Sequence, residues 1–224
     1  MRIKIYQINN DRDTNNVKFF KLKHLKQFQG SEKVDASLYD EVFDGEVETT
    51  NLEMIFRQFN SEYHPLFRGH SLSVSDVVVM DGKAYFCEPV GFEQIDFDES
   101  LTQKPDNLIK VLFVEPHKTP YVAEIENTLR GVQRAVGGEI EYIDNDDGTV
   151  IGLNMLGKQE GLDGNRHVGD GVIAGAFFVA RDGEEDIVSA TEDDLKKYAE
   201  KFAEPEDISQ DEVQADTAQT LMRW

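Results

Sequence analysis

The chain of 224 residues carries 44 acidic and 23 basic side chains, which give a formal net charge of -21. That charge disfavours binding to nucleic acid and anionic membranes, and it favours basic protein surfaces. A hydrophobic fraction of 39% excludes a chain that is disordered throughout, and the single cysteine, Cys87, excludes an internal disulfide. With no leader-like segment and no apolar run of about 18 residues, we expect a soluble, cytoplasmic protein that does not enter the membrane.

The charge is distributed unevenly along the chain. Residues 1–34 have a net charge of +5, residues 35–104 of -11 and residues 105–224 of -15. The basic first segment is typical either of a small nucleic-acid patch or of a solvated basic face, and we favour the solvated face. Direct nucleic-acid binding is not expected, because it needs clustered Lys and Arg side chains.

The sequence predicts an α+β fold with two small domains, each a mostly antiparallel sheet with one or two helices. The first domain covers residues 1–100, and a linker covers residues 101–107. Asn51 is the predicted N-cap of a helix over residues 52–59, and a basic helix or turn is expected near residues 24–28. Apolar runs predict the strands of the first domain at residues 1–8, 17–22, 39–47 (as a strand pair), 76–80, 83–87 and 91–97.

The sharpest local signal is Asp81-Gly82, which lies between the apolar runs at residues 76–80 and 83–87. An Asp-Gly pair between strands favours a two-residue hairpin, because both residues tolerate a positive φ angle. The sequence therefore predicts that these two runs pair as an antiparallel hairpin near the C-terminal end of the first domain.

The second domain, residues 108–203, is predicted to have the element order β-α-β-β-β-α. Its first helix is expected to begin at Thr119-Pro120 and to end near residue 136. Thr191 is the predicted cap of a second helix over residues 192–202. The strands are predicted at residues 109–114, 139–143, 149–154 and 172–180.

The last segment, residues 204–224, is predicted to be an acidic tail. Its composition is typical of disorder, although its few larger apolar residues also allow a short helix. Both alternatives stay open from the sequence.

The first domain resembles a known family. The stretch GHSLSVSDVVVMDGKAYFCEPVGFEQI at residues 69–95, together with LEMIFRQFN at residues 52–60, is similar to the YodL-like domain of Firmicutes proteins. The resemblance covers residues 1–100. Many such proteins are encoded on conjugative elements and prophages, so the resemblance implies that biological context and no catalytic residues.

The second domain resembles an uncharacterised family (a domain of unknown function) of phages and conjugative elements. The residues that carry this resemblance are VGGEIEYI at residues 136–143, Gly157-Lys158, Gly164-Asn165-Arg166 and DGVIAGAFFVA at residues 170–180. The resemblance implies a place near anti-restriction and DNA-transfer genes, and it implies no catalytic set.

The YodL-like motif supplies the first group of candidate partner-binding residues. A Ser/His/Asp triad is conceivable there, but triads are recognised by geometry, and serines before a strand more often satisfy the backbone of a turn. The candidates are Gly69, His70, Ser71, Ser73, Ser75 and Asp76.

A second group lies in the glycine-rich stretch at residues 157–171, which we predict to be a loop. Glycines and cations suit anion binding, so Lys158, Asn165 and Arg166 are candidates for contact with a ligand or partner. The alternative is that Asn165 and Arg166 bond the backbone of their own loop, since no phosphate-binding loop pattern is present.

The third group is a set of acids around a predicted hairpin turn. Residues 144–148 have some likeness to a calcium loop, but position twelve is Met155 and the flanks are strands, so a turn is favoured. Neither the histidines nor Cys87 have metal-ligand spacing, and we expect no metal and no cofactor. The candidate acids are Glu139, Glu141, Asp144, Asp146 and Asp147.

The leading hypothesis is a non-enzymatic acidic protein that binds and blocks a host defence or DNA-handling protein, with its acids in the place of DNA phosphates. Residues 184–186 would add to that surface. A second hypothesis is a regulatory or assembly module that binds a cellular protein through the YodL-like surface. The third is a small-ligand or nucleotide-handling enzyme that uses Arg166 and Lys158.

Overall fold

A computed structural model describes residues 1–61, 64–105 and 107–222, with side chains up to residue 217. The chain divides into two compact units, Met1–Asp106 and Asn107–Trp224. The boundary between them along the chain falls within the predicted linker at residues 101–107. Both units are α+β with mostly antiparallel sheets, as predicted. None of the helices in the described ranges has both the length and the apolar character that crossing a membrane requires.

The first unit is a five-stranded antiparallel sheet in the order β2-β1-β3-β4-β5. Its strands are β1 (Arg2–Ile8), β2 (Tyr39–Glu46), β3 (Val77–Met80), β4 (Lys83–Cys87) and β5 (Phe92–Ile95). Its helices are α1 (Leu22–Gln29) and α2 (Leu52–Ser61).

Apolar residues on both helices of the first unit build its core. Leu22 and Leu25 of α1 are buried in a cluster with Tyr6 and Phe86 of the sheet. Phe59 of α2 packs its ring against Phe43 of β2, with a centroid distance of 4.9 Å. This burial of apolar side chains on the sheet is the main stabilising term of the unit.

Local signals in the first unit were mostly predictive. The hairpin of β3 and β4 is confirmed, with φ angles of 51° at Asp81 and 70° at Gly82. The Asn51 cap is also confirmed, because its side chain accepts hydrogen bonds from the backbone of Glu53 and Met54. The strand pair at residues 39–47 is wrong, since these residues form the single strand β2.

The strand predicted at residues 17–22 is also wrong. The side chain of Asp13 accepts hydrogen bonds from the N–H groups of Val17 and Lys18 at 2.8 and 2.9 Å, so these groups are not available to a sheet. Phe19 has a φ angle of 70°, which turns the chain. Val17 and Phe20 therefore reach the core from a loop while Phe19 stays exposed, and helix α1 begins at Leu22.

The second unit contains a larger sheet in the order β7-β6-β12-β9-β8, with β13 paired to β12 and a separate hairpin of β10 and β11. The strands are β6 (Leu108–Val114), β7 (Tyr121–Glu126), β8 (Ile140–Asp144), β9 (Thr149–Asn154), β10 (Gly164–Val168), β11 (Gly171–Ala174), β12 (Phe177–Asp182) and β13 (Ile187–Val188). The helices are α3 (Leu129–Val136), α4 (Glu192–Lys201) and α5 (Gln210–Met222).

Helix α4 is fixed to the larger sheet by apolar packing and by ion pairs, of which Arg181–Asp194 is the more buried. Leu195 and Tyr198 are buried against Phe177 of β12. Asp194 closes the predicted capping box with Thr191, and it also accepts two hydrogen bonds from Arg181 at 2.9 and 3.0 Å. The cap prediction at Thr191 is therefore confirmed.

The helix predicted from Thr119-Pro120 to residue 136 is wrong in its first half. Strand β7 occupies that part and pairs with β6 as an edge strand. Ala123 and Ile125 are buried while Val122 is 54% exposed, which is the alternation of a strand. The helix begins only after Thr128, whose side chain accepts a hydrogen bond from the N–H of Gly131.

The glycine-rich stretch is not one loop. Its second half forms β10 and the start of β11, which pair as a hairpin. The single strand predicted at residues 172–180 divides at Gly175, where a φ angle of 83° breaks the extended chain between β11 and β12.

The acidic tail returns to the second unit through α5. Val213 of this helix is fully buried in a small cluster with Val172, Ala174 and Ile208. The Nζ atom of Lys158 lies 2.6 Å from a carboxylate oxygen of Asp216, which adds an ion pair to this contact. The tail is therefore helical from Gln210 to Met222, and residues 204–209 lead into this helix without regular structure. The prediction for residues 223–224 lies outside the described residues.

Candidate functional site

The YodL-like motif folds around one side chain, that of Gln7 on β1. The Oε1 atom of Gln7 accepts a hydrogen bond from the backbone of His70 at 2.9 Å. Its Nε2 group donates to the backbone carbonyl of His70 at 2.8 Å and to the carboxylate of Asp76 at 2.9 Å. A single amide thus holds both ends of the motif, and nothing in the residue pattern had pointed to Gln7.

Asp76 is fully buried, and burial raises its pKa to about 7. Its Oδ2 atom accepts hydrogen bonds from Gln7 and from the N–H of Ser73, whereas its Oδ1 atom has no hydrogen-bond partner among the described residues. Burial lowers the pKa of the neighbouring His70. The motif therefore contains a buried carboxyl group that is poised to hold a proton near neutral pH.

The serines of the motif make turn contacts. Ser75 has a φ angle of 78°, and its hydroxyl accepts a hydrogen bond from the N–H of Phe19 at 2.9 Å. The hydroxyl of Ser73 donates to the carbonyl of Ser71, and the Nδ1 atom of His70 also lies 2.7 Å from that carbonyl. These contacts join the motif to its own backbone and to the loop at Phe19, so the residues meet as a structural corner.

Gly69 has no room for a side chain in this corner. We expect the Gly69→Ala variant to lower the free energy of unfolding of the first unit by about 1–3 kcal/mol. Its Cβ atom would lie 2.2 Å from Oε1 of Gln7 and 3.1 Å from Cβ of Val42. Denaturant unfolding of the full chain, followed by circular dichroism, checks this. The matched control is Ser71→Ala at an exposed position, which we expect to stay within about 0.5 kcal/mol of the unaltered chain; an equal effect of both changes would contradict the account.

In the glycine-rich stretch, Arg166 is fully buried and committed to the backbone. Its guanidinium donates to the carbonyl groups of Phe202, Lys118 and Asn165 at distances between 2.9 and 3.3 Å. Asn165 is also fully buried, and its side chain donates to the carbonyl groups of Val114 and Gly175. Both side chains therefore bond the backbone of their own unit, which agrees with the structural alternative, and their contact with a ligand or partner stays a prediction.

Lys158 and His167 link this region to the tail. Lys158 pairs with Asp216 of α5. The imidazole of His167 lies between Glu206 and Glu212, which raise the pKa of His167 above its ordinary value. The cations of the stretch therefore hold the C-terminal segment in place, and the predicted role of Lys158 in ligand or partner contact is not supported by its geometry.

The acids of the third group lie on β8 and on the turn that follows it, except for Glu139, which directly precedes β8. Strand β8 is the last strand of its sheet, with β9 on one side only among the described strands. Glu141, Asp144 and Asp146 are exposed, and none of them has an ion pair within the described ranges. Glu139 accepts a hydrogen bond from the side chain of Gln133 at 2.8 Å. We call β8 with Glu141, Asp144 and Asp146 the acidic edge.

Asp147 differs from its neighbours because it is a structural residue. Its carboxylate lies 2.5 Å from Nζ of Lys197 and accepts hydrogen bonds from Thr149 and from the hydroxyl of Tyr198. These contacts hold the pKa of Asp147 well below its usual range. Asp147 therefore fixes the turn to helix α4, whereas Glu141, Asp144 and Asp146 are exposed to solvent.

Apolar side chains lie among the exposed acids. Tyr142 and Ile143 of β8 are 39% and 38% exposed, and Met155 is 51% exposed. A groove of about 250 Å³ runs beside β8, and its lining includes Glu141, Ile143 and Met155. The sequence pointed only to the acids of this segment, and the exposure of Tyr142 and Ile143 is seen in the folded chain.

Within the part of the chain that the structure describes, no three His, Cys, Asp or Glu side chains are grouped so that they could hold a metal ion. Of the three predicted groups, the first forms the structural corner of the first unit. Glu141, Asp144 and Asp146 of the third form the acidic edge, whereas Lys158, Asn165 and Arg166 belong to neither feature.

Comparisons with known proteins agree with this division into two units. Residues 2–97 match the model of the YodL-like domain, and residues 109–203 match the model of the domain of unknown function DUF3846. No curated protein and no solved structure matches the chain. The chain therefore combines a YodL-like first half with a DUF3846-like second half.

Proposed function

We propose that this chain is a non-enzymatic binding protein whose acidic edge binds a basic surface on a protein partner. One observation carries this proposal. The acids that stabilise the second unit are paired with cations, as Asp147 is with Lys197 and Asp194 is with Arg181. The exposed acids of the edge, by contrast, have no cation beside them in the described structure.

Charge of one sign on a surface raises the local concentration of partners of the other sign and speeds their association. At a net charge of -21, the whole chain adds to the field of the edge. The exposed acids at residues 184–186 follow β12 and extend the acidic surface of the same unit. Solubility alone would not require exposed apolar residues such as Tyr142 and Ile143 between the acids.

The narrower form of the proposal is an inhibitor, carried by a phage or conjugative element, that blocks a host defence or DNA-handling protein. Its support is the resemblance of both halves to families of mobile elements, together with the charge. In this form the carboxylates of the edge occupy the positions of DNA phosphates in a basic groove.

The two other hypotheses receive less support from the contacts. An enzyme that uses Arg166 and Lys158 would need donors that already bond Phe202 and Asp216. A module that binds through the YodL-like motif could not use Ser75 and Asp76, which are fully buried, and would depend on Ser71 and the partly exposed residues beside it.

Affinity capture from a bacterial lysate, read by mass spectrometry at about 0.05 M and about 1 M salt, tests the proposal. We expect the unaltered chain to capture a basic protein at low salt and to release it at high salt. The Glu141→Lys, Asp144→Lys, Asp146→Lys triple variant should lose at least about 90% of this capture, because the change reverses the field at the edge.

The matched control reverses three other exposed acids of the same unit, Asp170, Glu200 and Glu204, none of which has an ion pair in the described ranges. This control changes the net charge by the same amount and should retain most of the capture. Equal loss in both triple variants would show that overall charge is responsible, and unchanged capture by the edge variant would overturn the proposal.

A further inference from the structure

We infer that the acidic edge binds its partner by β-strand addition, and that the bound segment is an extended one with alternating basic and apolar residues. The inference rests on the proposed function, and it adds the partner's chemistry and its mode of binding. Its basis is the combination of an open strand, exposed apolar side chains and unpaired acids at one place.

Only every second residue of β8 uses its backbone N–H and C=O groups for pairing with β9. Met155 donates its N–H to the carbonyl of Glu139 at 2.7 Å, and Asn145 donates to the carbonyl of Thr149 at 2.9 Å. In an antiparallel pair these bonds alternate, so the polar groups of residues 139, 141, 143 and 145 point towards β9. The N–H and C=O groups of Ile140, Tyr142 and Asp144 point the other way, where no strand of the described chain pairs with them.

An open edge of this kind is a template for another strand. Natural proteins guard such edges with charge, and the acids of β8 repel a second copy of the same edge. The same acids attract an incoming strand that carries Lys or Arg. Charge therefore selects a basic segment as the occupant in preference to self-association.

The two faces of β8 specify the side chains of that segment. Ile143 lies on the face of the groove with Leu153 and Met155, so it offers apolar contact to every second residue of an added strand. Tyr142 and Asp144 lie on the opposite face, and the ring of Tyr142 packs near Phe178 at a centroid distance of 6.4 Å. A cation above Tyr142 and beside Asp144 gains both a ring contact and an ion pair.

The test uses two synthetic heptapeptides that alternate Lys and Val, with four lysines each. One is unmodified, and the other is N-methylated at the lysine amides. It has the same charge, but in the inferred register, with its lysines opposite Tyr142 and Asp144, it cannot donate hydrogen bonds to β8. Binding to the full chain is measured by calorimetry, and backbone exchange of the isotope-labelled chain is measured by NMR.

We expect the unmodified peptide to bind at least about tenfold more tightly than the methylated one, and to slow amide exchange at Ile140, Tyr142 and Asp144. The amides of Glu141 and Ile143, which already bond β9, serve as the internal control. The Lys triple variant at Glu141, Asp144 and Asp146 should bind neither peptide, whereas the control triple variant should bind as the unaltered chain does.

Equal binding of the two peptides with unchanged exchange overturns strand addition, and it leaves the electrostatic surface of the proposed function standing. If neither peptide binds, strand addition is overturned. The capture experiment then tests the acidic surface independently. A third outcome is that exchange at Ile140, Tyr142 and Asp144 slows without peptide as the concentration of the chain is raised. The edge would then pair with a second copy of the chain, which would also overturn the inference.

Discussion

Replacing Arg166 by leucine is expected to lower the free energy of unfolding of the second unit by about 3–5 kcal/mol. The guanidinium is fully buried, and it joins the carbonyl groups of Lys118 before β7, Asn165 on β10 and Phe202 after α4. Leucine would leave these carbonyls without their donors. Denaturant unfolding of the full chain, with NMR signals of β9 and β12 as reporters, measures the loss.

The matched control is Lys158→Ala, which removes a partly exposed cation of the same stretch. We expect it to cost about 1 kcal/mol, because the pair still reaches solvent and the Asp216 carboxylate keeps the hydrogen bond from the N–H of Val172. If the Arg166→Leu variant were as stable as this control, Arg166 would be free for a ligand, and its assignment as a structural residue would fail.

The second large effect is a dependence of the stability of the first unit on pH, which we expect to arise from Asp76. Its pKa is about 7 in the folded chain, against an ordinary value of 3.8, so the folded state retains a proton that the unfolded state loses. Stability should therefore fall as the pH rises from about 4 to about 7, by up to about 4 kcal/mol for the first unit. The Asp76→Asn variant cannot ionise and should lack this fall.

Unfolding of both proteins at pH 5 and pH 8, followed through NMR signals of β1 and β3, measures the difference. Asparagine can keep an oxygen in the place of Oδ2, where Gln7 and the N–H of Ser73 donate. We expect the variant to gain stability relative to the unaltered chain as the pH rises. The same change of stability with pH in both proteins would show that Asp76 is ionised in the folded state.

The parts of the fold that the sequence predicted depend on local chemistry. Asp81-Gly82 specifies its turn, and Asn51 and Thr191 satisfy the first N–H groups of the helices that follow them. Each signal acts within four residues. It could be read without knowledge of the rest of the chain.

The errors depend on contacts between distant residues. The stretch after Thr119-Pro120 has apolar residues at helical spacing, but pairing with β6 makes its first half a strand. Arg166 was predicted to contact a ligand or partner because no acceptor for its guanidinium is evident in the neighbouring sequence. Its actual acceptors, the carbonyl groups of Lys118 and Phe202, lie 48 and 36 residues away. A sequence pattern contains no sign of such partners.

The candidate site was half predictable for the same reason. The acids Glu141, Asp144 and Asp146 were visible as a charge pattern, and the structure places them at an open sheet edge. That β8 would be the last strand of its sheet follows from strand order, which is a property of the whole unit. The role of Tyr142 could therefore be recognised only in the folded chain.

The acidic edge is tested most directly by hydrogen–deuterium exchange of the chain with and without a basic protein recovered in the capture experiment. We expect slowed exchange at β8 and its turn, residues 139–147, and little change in the corner at residues 69–76. Protection of residues 69–76 with no change at β8 would contradict the account and would place the binding surface on the first unit.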